Sequence, residues 1–282
     1  MDLLKKTKKL CVLYDIHPAR SRGQNFLIQE KIYDDIVGQA QIKKEDIILE
    51  IGPGLGFLTA KLAKQAEKVI AVELDDKLAK ILKSGLQSQK VDNVEVVNKN
   101  ILDLSLRDLG LKGKSYKVVA NLPYNITSVF LRKFLELENK PQEMVLMLQK
   151  EVAERIVAQP PKMSLLAISV QFYTDAEIIK QVPKEHFWPQ PEVDSAVIKL
   201  KIKSSYKSDK NTEHGIDVKG FFQLVKIGFS SKRKMLKNNL AAGYQISQEE
   251  AANKIKRAGF SAKSRAQELS LEDWVKLFGE FH

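Results

Sequence analysis

The run Glu50-Ile51-Gly52-Pro53-Gly54-Leu55-Gly56 follows an apolar stretch with strand character, Ile47 to Ile51, and precedes a helical pattern from Phe57 to about Ala66. Glycines in such a turn let the backbone bend sharply and approach a ligand with no Cβ in the way. The spacing is Gly-x-Gly-x-Gly, not the Gly-x-Gly-x-x-Gly of the dinucleotide fingerprint, and with no pyrophosphate to cradle it suits the amino-acid end of a sulfonium cofactor. Glu73 closes the next apolar run, 19 residues after Gly54. An acid at that place can accept hydrogen bonds from both hydroxyls of a ribose. Glycine loop and acid together imply a cofactor that contains adenosine.

Asn121-Leu122-Pro123-Tyr124 ends a later apolar run, 48 residues after Glu73. In a doubly wound sheet the carboxyl ends of the strands line the ligand crevice. The tetrapeptide resembles the Asn/Asp-Pro-Pro-Tyr signature of amino-methylating enzymes, and chemistry accounts for its residue types. The N6 amine of adenine is a poor nucleophile because its lone pair is delocalised into the ring. Acceptors for its hydrogens, the Asn121 side-chain oxygen and the Leu122 carbonyl, would favour a pyramidal nitrogen with a localised pair. Pro123 has no N–H and stiffens the turn, and Tyr124 can stack on an unstacked base. Methyl transfer from a sulfonium to that nitrogen rests on positioning and electrostatics, without a covalent intermediate or a strong base. S-adenosyl-L-methionine is the expected cofactor.

Positioning these segments requires a sheet. Five strand-like runs alternate with helical patterns: Ile47 to Ile51, Val69 to Glu73, Val94 to Val97, Lys117 to Ala120 and Met144 to Leu148. The helical patterns include Asp75 to Leu86, Ser128 to Leu137 and Lys150 to Ala158. That alternation predicts a parallel sheet covered on both faces. Two later runs, Ala176 to Val182 and Val193 to Ile202, suit an antiparallel addition at one edge. Past a polar stretch at Ser204 to Asn211, helical periodicity returns over Phe221 to Leu240, Ser247 to Ala258 and Leu271 to Phe278. The expected organisation is an α/β domain over residues 1–204 with a basic N-terminal arm, and a small all-α domain over 205–282.

The chain has 282 residues and a net charge of +11. Residues 201–282 hold sixteen Lys and Arg against nine Asp and Glu, so most of the excess lies there. Such asymmetry points to a polyanion, nucleic acid first and a membrane surface second. No apolar run approaches the roughly 18 residues of a membrane span, and the basic start is followed by too short an apolar patch for a signal peptide. One cysteine, Cys11, fits a reducing compartment, and with four histidines it offers no zinc-type cluster. A cytoplasmic protein without a metal is expected.

Over nearly its whole length the chain resembles KsgA-type ribosomal RNA adenine dimethyltransferases. The matching stretches are Gly23 to Leu27, Glu50 to Gly56, Asn121 to Ser128, Gln149 to Arg155, Phe187 to Val197 and Phe229 to Lys234. The resemblance implies a seven-stranded class I (Rossmann-like) methyltransferase sheet with a helical C-terminal domain. It implies dimethylation of two neighbouring adenosines in a hairpin near the 3′ end of small-subunit ribosomal RNA, late in subunit assembly. The partner would be the immature small subunit and the enzyme a monomer. Asn25 and Leu27 would close over the cofactor, Gly52 and Gly54 would line its methionine end, and Glu73 would hold its ribose. Asn121 would bridge cofactor and acceptor, and Phe187 would stack on the base face opposite Tyr124. Lys232, Arg233, Lys234 and Lys237, near the end of the helix expected from Phe221, would contact phosphates without reading sequence.

Two departures from the family pattern stand out. Asn100 occupies a place where an Asp is common, so its oxygen would accept from the cofactor's amine without charge assistance, and weaker cofactor binding is expected. Pro160 to Ser164 lacks the Tyr-Gly often found in that loop. Competing readings are the Erm class, which methylates large-subunit RNA, a non-catalytic nucleic-acid-binding relative, and a methyltransferase acting on DNA or small molecules.

Overall fold

The computed structural model describes residues 2–18, 24–203, 216–231 and 234–282. α1 (Leu3–Leu13) is followed by the short strand β1 (Phe26–Leu27) and α2 (Glu30–Gln39). Strand and helix then alternate through β2 (Ile47–Ile51), α3 (Phe57–Leu62), β3 (Lys68–Glu73), α4 (Asp76–Ser88), β4 (Val94–Asn98), β5 (Lys117–Asn121), α5 (Thr127–Leu135) and β6 (Glu143–Gln149). Next come α6 (Lys150–Ile156), α7 (Leu165–Tyr173), β7 (Thr174–Val182), β8 (Phe187–Trp188) and β9 (Ser195–Ile202). The chain continues through α8 (Val218–Gly228), α9 (Leu236–Tyr244), α10 (Gln248–Arg257) and α11 (Leu271–Phe281).

Seven strands form one sheet in the order β4-β3-β2-β5-β6-β9-β7. The first five in that order run parallel, and β9 lies antiparallel to β6. Central strands are apolar along their length because helices cover both faces; Ile48, Leu49, Val118, Val119 and Leu146 are each fully buried. From β2 the chain builds outward through β3 and β4, then crosses to β5 on the other side of β2. That reversal opens a crevice past the carboxyl ends of β2 and β5. Asp75 caps α4 by accepting from the Lys77 and Leu78 amides at 3.0 and 3.1 Å, so the helix starts immediately after Glu73 and its two flanking residues. α3 is shorter than its sequence pattern, ending at Leu62.

Packing divides the chain into two compact units, Met1–Ala153 with Glu177–Ile202, and Glu154–Ala176 with Lys203–His282. The second unit therefore takes in α7, which the sequence division at residue 205 assigns to the first domain. The residues of α7 explain this: it is apolar on nearly all sides, and Phe172 stacks on Phe221 of α8 with ring centroids 4.9 Å apart.

Within the second unit the single helix expected over Phe221 to Leu240 is two. Asn239 donates its side-chain amide to the Gly228 and Ser231 carbonyls at 2.6 and 3.0 Å, satisfying the backbone where α8 stops. Apolar periodicity runs across the junction because both helices bury a face in the same core, and it conceals the break. Gly228 ends α8 where a Cβ would meet Trp274 Cη2 at 2.2 Å and Leu236 Cδ1 at 3.0 Å. Gly228→Ala should therefore lower stability by about 1–3 kcal/mol through overpacking. Thermal or urea unfolding would read the loss, and an unchanged midpoint would contradict this packing.

Candidate active site

The crevice past β2 and β5 holds a cavity of about 190 Å³. Its walls include residues 24–27, 50–55, 57–58, 72–75, 99–101 and 121–126, so the glycine loop, Glu73, Asn100 and the Asn-Leu-Pro-Tyr turn face one space. Asn25, Leu27, Gly52, Gly54, Glu73, Asn100, Asn121, Leu122, Pro123 and Tyr124 all line it.

Gly52 and Gly54 take φ of +66° and +55°, a region that favours glycine. A Cβ on Gly52 would lie 3.3 Å from Pro123 Cδ and 3.7 Å from the Asn121 carbonyl oxygen. The turn at Pro123 thus lies close enough to Gly52 that a side chain there would crowd its ring. Glu73 ties the far side: Gly54 N donates to its Oε2 at 3.0 Å and Asp75 N to its Oε1 at 2.9 Å. Gln24 Nε2 donates to Asp75 Oδ2 at 3.2 Å, which links the N-terminal arm to the same rim. Each Glu73 oxygen keeps a further lone pair for a diol. Burial pushes its carboxyl up, opposed by those backbone donors.

Glu50, at the head of the glycine run, is a second acid in the cavity that residue-by-residue sequence reasoning did not single out. It is 1% exposed, and neither carboxylate oxygen forms a good hydrogen bond among the described residues; the neighbouring Thr59 hydroxyl is also without one. Burial pushes its carboxyl up to about 8, with the Thr59 hydroxyl pulling it down and the Glu73 carboxylate pushing it further up. A buried acid lacking donors suits a ligand's cationic group. The signal was an acid inside the otherwise apolar run Ile47-Ile48-Leu49-Glu50-Ile51.

Asn100 Oδ1 accepts from Leu102 N at 3.1 Å, so one lone pair of this oxygen is committed to the loop. The same loop is held from behind by Lys133 of α5, whose ammonium donates to the carbonyls of Ile101, Leu102 and Leu104 at 3.1, 2.6 and 2.6 Å. Burial holds the Lys133 ammonium below the ordinary lysine value. Nothing in the sequence distinguishes Lys133 from a surface lysine.

On the acceptor side, Leu122 N donates to Met147 O at 3.0 Å and fixes that peptide. The Asn121 side-chain amide makes no hydrogen bond among the described residues and is available to a ligand. The Tyr124 hydroxyl and Ser195 Oγ are 2.6 Å apart, with Ser195 fully buried on β9. Burial raises the Tyr124 phenol, and the Ser195 contact opposes that.

Leu27 is fully buried, and the Tyr33 hydroxyl of α2 donates to its carbonyl at 3.1 Å. β1 pairs antiparallel with β8 and sets Leu27 opposite Phe187. The Phe187 ring is 3% exposed and joins the core with Leu27 and Tyr33, and it is not among the residues that line the cavity. Of the four basic residues, Lys232 and Arg233 lie outside the described residues. Lys234 is exposed ahead of α9 and Lys237 is half-buried in its first turn, so both follow the helix break instead of ending a long helix.

Residues 17–282 match the family model described as ribosomal RNA adenine dimethylase. A protein from Dehalococcoides mccartyi named ribosomal RNA small subunit methyltransferase A is 40% identical over 276 residues, covering 98% of this chain and 92% of its own. A protein of that name from Clostridioides difficile is 41% identical, covering 96% and 93%. Among solved structures, a dimethyladenosine transferase from Plasmodium falciparum superposes with a TM-score of 0.75 at 27% identity, covering 90% of this chain and 96% of its own. The 23S rRNA methyltransferase ErmE gives 0.72 at 25% identity, covering 91% and 99%.

Two expectations come from this geometry. Because the folded protein holds a proton on Glu50 that the unfolded chain releases at roughly pH 4, the stability this group confers is full in acid and is lost as pH rises through about 8. Glu50→Gln should match the wild type near pH 4–5 and melt at a higher temperature at pH 9; parallel melting curves across that range would contradict the assignment. For the tyrosine, Ser195→Ala and Tyr124→Phe should each lower turnover by roughly tenfold, and the double variant should be little worse than either. Multiplied losses in the double variant would mean the two hydroxyls act separately.

Proposed function

The chain belongs to the ribosomal RNA adenine dimethylase family, and from that premise we propose that it methylates the exocyclic N6 of two adjacent adenosines in a hairpin near the 3′ end of small-subunit ribosomal RNA. It is an S-adenosylmethionine-dependent RNA adenine dimethyltransferase. The observation that carries the reading is that the glycine loop, Glu73 and the Asn121 to Tyr124 turn line one cavity, which sets the cofactor side against the acceptor turn.

The residues present fit the cofactor. Glu50 is a buried carboxylate without a well-formed hydrogen bond, and it suits the ammonium of the methionine end. Gly52 and Gly54 leave room beside it, Glu73 takes the ribose hydroxyls, and Asn100 takes the adenine amine with its remaining lone pair. Asn25 and Leu27 close the cavity from the arm. When bound, S-adenosylmethionine supplies a methyl group on a positively charged sulfur.

On the acceptor side, Asn121 Oδ1 and the Leu122 carbonyl accept the two N6 hydrogens and draw the nitrogen toward a pyramidal geometry. Tyr124, pinned by Ser195, stacks on the base and fixes the plane from which that lone pair projects. A monomethylated N6 keeps one hydrogen, so a single acceptor suffices to orient it for the second transfer. Phe187 supports this face indirectly by packing under Leu27. Lys232, Arg233, Lys234 and Lys237 contact phosphates and set register, while the hairpin's shape and the extruded adenine give specificity. The protein acts as a monomer on the immature small subunit in the cytoplasm.

A second reading, methylation of large-subunit RNA, draws on the similarity to ErmE, whose superposition is nearly as good as that of the dimethyladenosine transferase. The curated relatives at about 40% identity favour the small subunit. The deciding measurement incubates each subunit, lacking native adenine methylation, with the protein and labelled S-adenosylmethionine. N6,N6-dimethyladenosine, identified by mass spectrometry of digested RNA, is expected from the small subunit alone. Label in large-subunit RNA would support the second reading, and no label in either would sink both.

A further inference from the structure

We propose that α1 is a second phosphate-binding surface, which takes the backbone of the substrate RNA beside the cavity. The proposal rests on the functional reading above and adds a contact that it does not contain. The family match begins at residue 17, so α1 lies ahead of the matched region.

The helix reads LLKKTKKLCVL, and its only charged residues are Lys5, Lys6, Lys8 and Lys9. None of the four pairs with a carboxylate among the described residues. Lys5 and Lys9 are four residues apart and Lys5 and Lys8 three apart, spacings at which like charges repel across one helix face. Lys5 and Lys6 also lie near the positive end of the helix dipole, where cations are disfavoured. Two local rules are strained together, and among the described residues none of the four lysines pairs with a carboxylate, the acid at the helix start being its N-cap, Asp2. A polyanion would supply the compensation.

Packing places this charge at the cavity. α1 buries Cys11 with Phe26 and Leu78, and the partly buried Leu55 and Trp188 join them. Lys6 Nζ lies 5.2 Å from the centre of the Phe57 ring and Lys8 Nζ 5.8 Å from that of Trp188. Phe26, Leu55 and Phe57 are themselves cavity walls. The helix therefore rides on the outer side of the segments that enclose the site. With Lys6 and Lys8 drawn over aromatic faces, Lys5 and Lys9 stand exposed on the side away from the core. RNA that delivers an adenine to Tyr124 must bring flanking phosphates to this end of the sheet. Lysine is suited to meet them as a point charge, without reading bases.

The test uses the full-length protein with Lys5→Gln/Lys9→Gln, two exposed changes that relieve repulsion and should leave the melting temperature unchanged or slightly raised. Binding to undermethylated small subunits is measured from about 50 to about 200 mM salt. The log–log slope should become shallower by about 1–2, since each lost phosphate contact removes roughly 0.7–0.9. The KM for RNA should rise several-fold, with kcat and the affinity for S-adenosylmethionine unchanged. Lys5→Glu/Lys9→Glu should weaken binding further. A wild-type slope and KM in both variants, with the wild type active, would overturn the role of α1 alone. So would loss of binding to anionic phospholipid vesicles with RNA binding intact, which would assign the helix to a membrane surface. A wild type that methylates neither subunit would overturn the functional reading and this surface with it.

Discussion

The site exists because two loops from opposite sides of a topological reversal face one cavity. β2 and β5 are neighbours in the sheet but are separated in sequence by the whole β3–β4 excursion. Only at their carboxyl ends can a segment near residue 52 meet one near residue 123. Glycine suits position 52 because its φ is +66° and a Cβ there would lie 3.3 Å from the Pro123 ring. The acids Glu50 and Glu73 line this cavity with the glycines, and Asn121 and Tyr124 line it with the proline.

The acids divide labour by environment. Glu73 is held by backbone donors on both oxygens and is committed to its place whether or not anything else is bound. Glu50 lacks such donors and is buried more completely, so its ionisation is costly until a cation arrives. The first acid is a fixture of the fold, and the second is a group whose charge state follows occupancy.

Much of this was legible in the residues. The five parallel strands, the glycine loop, Glu73 and the Asn-Leu-Pro-Tyr turn declare themselves because strand runs are apolar and loop motifs are short and local. What stayed hidden depends on long-range register or on backbone partners. Phe187 turns inward because β8 pairs with β1, more than 150 residues earlier in the chain. The α8–α9 break lies under continuous apolar periodicity and is sealed by Asn239, a residue type common on any helix. α7 passes unnoticed as a helix because its all-round apolar surface has no periodic face to detect. Glu50 sat within a stretch that was recognised, yet its importance comes from burial, which an isolated sequence position does not disclose.

Lys133 has a consequence for how the two halves of the site communicate. It grows from α5, the helix that follows the base-binding turn, and grips three carbonyls of the loop that carries Asn100. While these bonds hold, a displacement of α5 and a displacement of the loop carrying Asn100 are not independent. Thermodynamic linkage makes such an effect symmetrical, so whatever factor one ligand imposes on the other's affinity is returned in equal measure. For a reaction that visits the same nucleotide twice, spent cofactor must leave before the second transfer. A lysine that ties α5 to this loop thus joins the two sides of one cavity mechanically, so that a ligand on one side bears on the ease with which the other is exchanged.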